Sequence, residues 1–308
     1  MIETDYKPTL LILGISSFVG SNLAKHFQNK YRVVGTYHTQ PVVINGINSI
    51  PCDVTKKDMV IKVTQWVKPK YVIYCAGESS LMHCQSNPKV SELRNSTGVV
   101  NSLLASDRVG AKFIYLSSSF VHGGDQTFLR EADTPLPETV YGHNISASEF
   151  YVQRSSVNYL VLRTCPLYGI GYGKNVKNIF EKILYNIKKE ENLELDHVAK
   201  TGFLDVMIFA KMLENILDNK ITNRLIQVSS KNVMSYFDFA TKVANVFKLD
   251  ERFLIRSSES FFNSVNKNKK NQAEFLFQMD VSNLEEIINA EVPTIDESLA
   301  YTRKNFKI

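Results

Sequence analysis

Apolar and polar positions along this chain follow two periods that take turns through its first half. Runs that are apolar throughout, such as Leu10–Leu13, suit strands covered on both faces of a parallel sheet. Between such runs, apolar residues recur every three or four positions, as at Val19, Leu23 and Phe27, which suits helices packed on that sheet. Five more strands follow: Tyr31–Tyr37, one ending across Ile50–Val54, Tyr71–Gly77, Lys112–Ser119 and Asn158–Arg163. The intervening helices fall over Lys57–Val67, Val90–Ser106 and from near Tyr141 to about Ser155. This alternation predicts the α/β class, a doubly wound, Rossmann-like parallel sheet with right-handed crossovers. Beyond residue 165 the pattern changes. Helices are predicted over Asn178–Lys188, Val206–Asp218 and Tyr236–Phe247, a short strand at Leu225–Val228, and an exposed Asn- and Lys-rich loop over Asn263–Gln272. The chain ends with the run Asp280–Ile288 and a last helix after Pro293. The division is a main-sheet domain over 1–165 and a smaller C-terminal lobe over 166–308, some of whose segments return to the main sheet.

The first strand, turn and helix carry the first chemical signal. Gly14-x-x-Ser17-x-x-Gly20 lies where free N–H groups and the positive helix end would point at one spot, a phosphate site. It departs from the dinucleotide fingerprint in having serine at its middle position, where a Cβ tightens the approach to a pyrophosphate. An ordinary corner of small residues is the plain alternative. In a doubly wound sheet ligands bind outside the carboxyl ends of the strands, where Gly14, Asp53, Gly77 and Ser117–Ser119 would gather. The second strand ends Gly35-Thr36-Tyr37-His38 without the carboxylate that would hold ribose hydroxyls, which leans towards a 2′-phosphorylated cofactor, although no arginine stands there. The glycine- and tyrosine-rich segment Thr164–Gly173 suits a substrate-facing loop or a plain connection.

Composition narrows the picture. Of 308 residues 44% are apolar, enough for a sizeable core, and the net charge of +5 includes one short basic cluster, Lys267–Lys270, most simply a solvated loop. Nucleic-acid binding is not expected. No apolar stretch approaches the roughly 20 residues that span a bilayer, and no basic-then-apolar leader opens the chain, so a cytoplasmic protein without membrane contact is the default. Cys52, Cys75, Cys84 and Cys165 lack metal-ligand spacing and suit core-filling thiols; no metal site is expected.

Ser117–Ser119 followed by Tyr141 is the second constellation. A phenol can protonate a carbonyl oxygen while hydride reaches the carbon, and a serine hydroxyl opposite can polarise the same oxygen. With an ordinary pKa of about 10, such a phenol needs a nearby cation to exchange protons readily at neutral pH.

With these residues in view, the chain resembles the extended short-chain dehydrogenase/reductase superfamily. The resemblance is to its dTDP-4-dehydrorhamnose reductase branch, relatives of the NAD-dependent epimerases and dehydratases, which includes the regulatory β subunit of methionine adenosyltransferase. It is carried by Gly14–Gly20, Cys52-Asp53-Val54, Tyr74-Cys-Ala-Gly77, Asn87-Pro88, Asn95, Tyr115–Val121, Val140-Tyr-Gly142 and Leu162–Gly169. Weaker matches run through Thr201–Val206 to Met279-Asp280, so nearly the whole chain is covered. The resemblance implies a pyrophosphate turn of Gly14, Ser17, Phe18, Val19 and Gly20, with Asp53 and Val54 at the adenine and Cys75, Ala76 and Gly77 along the cofactor ribose. It makes Ser118 the catalytic hydroxyl and Tyr141 the proton donor beside the nicotinamide. It sends the segment after Arg163 across nicotinamide and sugar, with Cys165 on the cofactor side. Ser118, Ser119, Phe120 and Tyr168 would meet the substrate. The implied cofactor is NADP or NAD, the implied substrate a nucleotide-linked sugar, with a homodimer left open.

Four departures bear on this. The family lysine four residues after the tyrosine is Ile145 here, and His143 points about 200° round the helix from Tyr141. Ser17 replaces the central glycine, Ser119-Phe120 stands where the branch has Asp-Tyr, and its late Arg-Pro pair has no clear counterpart before Met279. Two readings follow: a reductase, or an epimerase or dehydratase of that type, with weakened chemistry, or an inactive member that binds a nucleotide or a partner. A purely structural role has no positive feature.

Overall fold

Every residue of Thr9–Leu13 is buried, as a strand sandwiched between two helical layers requires, and this run is β1. The computed structural model describes residues 7–124, 128–172, 178–265 and 274–306. The chain continues through α1 (Phe18–Phe27), β2 (Arg32–Tyr37), β3 (Asn48–Pro51), α2 (Lys57–Val67) and β4 (Tyr71–Tyr74). Three short helical pieces follow, α3 (Leu81–Ser86), α4 (Pro88–Glu92) and, after a π-helical turn, α5 (Gly98–Asp107). Then come β5 (Lys112–Ser118), α6 (Val140–Gln153) and β6 (Tyr159–Thr164). A seventh strand, Arg224–Val228, returns from the C-terminal part to complete an all-parallel sheet in the order Arg224–Val228, β6, β5, β4, β1, β2, β3. The chain is the doubly wound α/β fold that its pattern predicts.

Each sheet face has its own core. On one, Leu23, Ala24 and Phe27 of α1 meet Phe209, Leu213 and Ile216 of the helix Val206–Asp218 over Leu10 and Ile12. On the other, Val60 and Val67 of α2, Val99 and Leu103 of α5, and Ile145 and Val152 of α6 cover Leu11, Leu13 and Phe113. A third cluster, centred on Tyr168, Phe180, Phe203, Phe239 and Leu299, is built from residues of the C-terminal part of the chain.

Three expectations need correction. The span Val90–Ser106 is not one helix: Leu93–Thr97 forms a π-helical turn whose Arg94 carbonyl accepts from the Tyr74 hydroxyl and whose Asn95 carboxamide bonds the backbone of Glu78. Asn263 does not open an exposed loop. It lies buried in the helix Phe261–Val265, held down by Phe262, whose ring meets Phe120, Phe275 and Phe277. The third strand stops at Pro51, and Cys52–Val54 turn into the cleft described below. Residues 266–272 of the expected loop, the Lys267–Lys270 cluster and Gly173 lie outside the described residues. Among the described residues, no helix is long and apolar enough to cross a membrane.

An ion pair is sealed inside this framework. Glu149 of α6 and Arg163 of β6 are each 2% exposed and meet through Nε–Oε1 at 2.9 Å and Nη2–Oε2 at 2.7 Å. The Ser117 hydroxyl also donates to Glu149, and Arg163 Nη1 reaches the Glu131 carbonyl at 3.5 Å. Removing one member leaves the other charge dry and uncompensated. Glu149→Ala is expected to destabilise the fold by about 3–5 kcal/mol, read as a shift in the denaturant midpoint. A loss below about 1 kcal/mol would show that the pair does not hold α6 to the sheet.

Candidate active site

β1 ends in a turn that only glycine takes easily. Gly14 has φ +89°, and a Cβ there would lie 2.7 Å from the Ala76 backbone, so the ends of β1 and β4 close on each other. Its amide donates to the Thr36 carbonyl, tying the turn to β2 as well. Ser17 then caps α1: its hydroxyl accepts from the Gly20 amide at 3.0 Å. The serine in the glycine pattern thus satisfies one first-turn donor itself, and leaves the amides of Phe18 and Val19 as those not taken by the cap.

A cleft of about 780 Å3 opens along this rim, within the usual range of a ligand pocket. Gly14, Ser17, Asp53, Val54, Cys75, Ala76 and Gly77 line it, with Ser16, Tyr37, His38, Thr39, Gln40, Thr55 and Arg94 in addition. Phe18, Val19 and Gly20 belong to the first turn of α1 and do not line the cleft wall. Asp53 accepts from the Thr55 amide at 3.0 Å and hydroxyl at 2.8 Å, and His38 Nε2 lies 3.7 Å from its other oxygen. Burial works against its charge, but those Thr55 bonds and the neighbouring His38 and Lys56 hold its carboxyl below the usual carboxylate range. The residues after β2 that join the lining had only one signal in the sequence, their place at a strand end. Arg94 had none, because the π-helical turn that carries it could not be read.

The second centre lies at the end of β5. Ser118 ends the strand and its hydroxyl accepts from the Phe120 amide at 3.3 Å. Tyr141 is in the first turn of α6, whose Thr139 cap bonds the Gly142 amide at 2.9 Å. A Cβ on Gly142 would lie 2.2 Å from the Phe120 carbonyl, so glycine lets the helix start sit directly on the turn after β5. This close seating brings the half-buried Tyr141 phenol to the Ser118 hydroxyl. Burial pushes the phenol up to about 12; the Ser118 hydrogen bond opposes this, and Cys84 and Glu78 add to it. Ile145, on the next turn, is 4% exposed and packed into the core.

The segment after β6 crosses the start of α1. The Ile170 carbonyl accepts from Asn22 at 3.0 Å, and Gly171 packs beside the Phe18 ring. Cys165 is 2% exposed beside Gly202, and its thiol is pushed up to about 11 by burial. Tyr168 corrects the expectation of a substrate contact. It is fully buried, its ring packs against Phe180 and Phe239, and its hydroxyl bonds Ser298 at 2.7 Å. Ser119 is likewise fully buried, and Phe120 is committed to the aromatic cluster with Phe262 and Phe277.

A glycine turn at a helix start, a cleft along a parallel sheet rim and a serine–tyrosine pair beyond it define the extended short-chain dehydrogenase/reductase class. Within that class, the chain belongs to the RmlD substrate binding domain family, which matches residues 8–307. Over 300 residues it is 22% identical to the probable low-salt glycan biosynthesis reductase of Haloferax volcanii, covering 94% of this chain and 95% of that protein. It is 25% identical over 252 residues to methionine adenosyltransferase 2 subunit beta of Xenopus laevis, covering 79% of this chain and 73% of that one. A crystal structure of dTDP-4-dehydrorhamnose reductase from Bacillus anthracis in complex with NADP shares the fold with a TM-score of 0.80 at 20% identity, covering 98% of this chain and 100% of that one.

Because Ser17 acts as a helix cap, its replacements should separate. Ser17→Ala is expected to cost about 1 kcal/mol and Ser17→Gly only a few tenths, measured by denaturant unfolding. Equal losses would mean that the hydroxyl does not cap α1.

Proposed function

We propose that this protein is an NAD(P)-dependent reductase acting on the carbonyl of a nucleotide-linked sugar. The observation that carries the reading is the Ser118–Tyr141 pair, seated on the same sheet rim as the Gly14–Gly20 turn and its cleft. The residues present fit a dinucleotide. The tight Gly14 turn and the start of α1 suit a pyrophosphate, Asp53 and Val54 an adenosine, and Cys75–Gly77 the ribose. The missing carboxylate at the end of β2 favours NADP over NAD. The likeness to a reductase of glycan biosynthesis supports a sugar-linked substrate. When bound, a reduced nicotinamide supplies hydride to the carbonyl carbon. Ser118 donates a hydrogen bond to the carbonyl oxygen, and Tyr141 delivers the proton to that oxygen as charge develops there.

The raised Tyr141 pKa gives the site a direction. Below about 12 the phenol keeps its proton, the form that reduction requires. Oxidation of the alcohol needs the phenolate, populated to the order of one part in ten thousand at pH 8. Reduction should therefore be nearly flat between about pH 6 and 9, while the reverse reaction rises about tenfold per pH unit. With a 4-keto sugar nucleotide and NADPH or NADH, Tyr141→Phe is expected to lower turnover by about a hundredfold or more, followed by absorbance. Unchanged turnover in that variant would remove the assigned roles.

One observation favours a second reading, a member that binds nucleotide or partner without turnover. Ile145 buries a hydrocarbon where the resemblance implies the cation that activates the tyrosine. Under this reading, calorimetry shows nucleotide binding while the assay shows no turnover. Ile145→Lys separates weakened from absent chemistry: a gain in turnover, with the pH dependence of oxidation moved downwards, is expected for the reductase.

A further inference from the structure

We propose that Arg94 supplies the positive charge of the dinucleotide cleft and that its guanidinium pairs with the pyrophosphate of the bound nucleotide, an assignment that rests on the cofactor reading above. Among the described residues that line the cleft, Arg94 is the one lysine or arginine, and Asp53 is an acid. A pyrophosphate brought into such a cleft needs a countercharge. The turn below it offers fewer donors than its glycine pattern suggests, because Ser17 occupies the Gly20 amide.

The position of Arg94 is built. It lies in the π-helical turn Leu93–Thr97, a kind of insertion found often at functional sites. Its carbonyl is held by the Tyr74 hydroxyl at the end of β4. The next residue, Asn95, accepts from the Glu78 amide at 2.8 Å and donates to the Glu78 carbonyl at 2.9 Å. A Cβ on Gly77 would lie 2.6 Å from the Asn95 side chain, so turn and loop fit closely. The guanidinium meets Glu78 through one contact of 3.3 Å and is 40% exposed, which leaves further donors free. Glu78 is shared with His83 Nδ1, also at 3.3 Å, and so keeps a partner if Arg94 turns to a phosphate. Glu78 follows Gly77 and Ala76, and the Ala76 backbone abuts Gly14; Arg94 and Gly14 line the same cleft. Arg94, the Gly14 turn and the Asp53–His38 contact line one cleft, so the guanidinium and the turn can meet a single bound dinucleotide.

The test is calorimetric titration of the full chain with NADPH, NADH, ADP and adenosine, at low and high salt. Arg94→Ala is expected to weaken both dinucleotides and ADP by about ten- to a hundredfold. Adenosine binding should stay unchanged, and the salt dependence of ADP binding should shrink. Arg94→Lys should recover part of the loss. Unchanged ADP affinity in Arg94→Ala would overturn the assignment while leaving the cofactor reading intact. Equal weakening of adenosine and ADP would overturn it too, by showing that Arg94 only holds the rim together. A wild-type chain that binds none of the four ligands would overturn the cofactor reading and this assignment together.

Discussion

The sealed contact between Glu149 and Arg163 fixes the part of the fold that seats Ser118 and Tyr141. Glu149 lies eight residues beyond Tyr141 on α6, about 12 Å along the axis. Arg163 is in β6, and Ser117, which also bonds Glu149, is next to Ser118 in β5. Two parallel N–H···O bonds in a dry site set both the rotation and the height of the helix against the sheet. Glu131 extends the anchorage. Its carbonyl accepts from Arg163, while its carboxylate takes the Gln227 amide and the Asn283 side chain. Segments far apart in the chain are thereby tied to the strand and helix that carry Ser118 and Tyr141. A well-packed apolar replacement could match the stability of such a pair, but it would not fix orientation through directed bonds.

Much of this architecture is legible in the residues. The strands are apolar throughout because helices cover both faces, and that burial is what makes runs such as Leu10–Leu13 recognisable. Capping residues at Ser17, Thr139 and Asn178 mark helix starts by local chemistry alone. What could not be read depends on partners distant in sequence. Tyr168 sits in a glycine-rich loop that looks the same whether the ring faces a cleft or a core; Ser298, Asp205 and the packing of Phe239 decide the matter. Glu149 lies on a helix of weak periodicity and gives no hint of a buried arginine. The widened turn at Leu93–Thr97 depends on Tyr74 and Asn95, neither of which signals it. The grouping of residues at the sheet rim was legible at the glycine turn, the strand ends and the Ser118–Tyr141 contact, and illegible where Arg94 reaches the cleft from an irregular helix.

Ile145 shows how one substitution can belong to two networks. Its side chain fills the interior between α6 and its neighbours, in the cluster that includes Val99, Val121 and Val152. The position is thus an integral piece of the core and not a truncated surface site. The groups that act on Tyr141 are its own burial, the Ser118 hydroxyl, Cys84 and Glu78, with no cation among them. The Tyr141 phenol therefore has a hydroxyl beside it and hydrocarbon, not a cation, on the next turn of its helix.

Gly142 carries a consequence for what this corner of the fold tolerates. Because the helix start rests on the Phe120 carbonyl with no room for a methyl group, any side chain at this position would have to push the start of α6, and Tyr141 with it, away from the turn after β5. The cluster around Phe180, Phe203 and Phe239 shares no residue with this seating, so repacking there leaves the corner as it is.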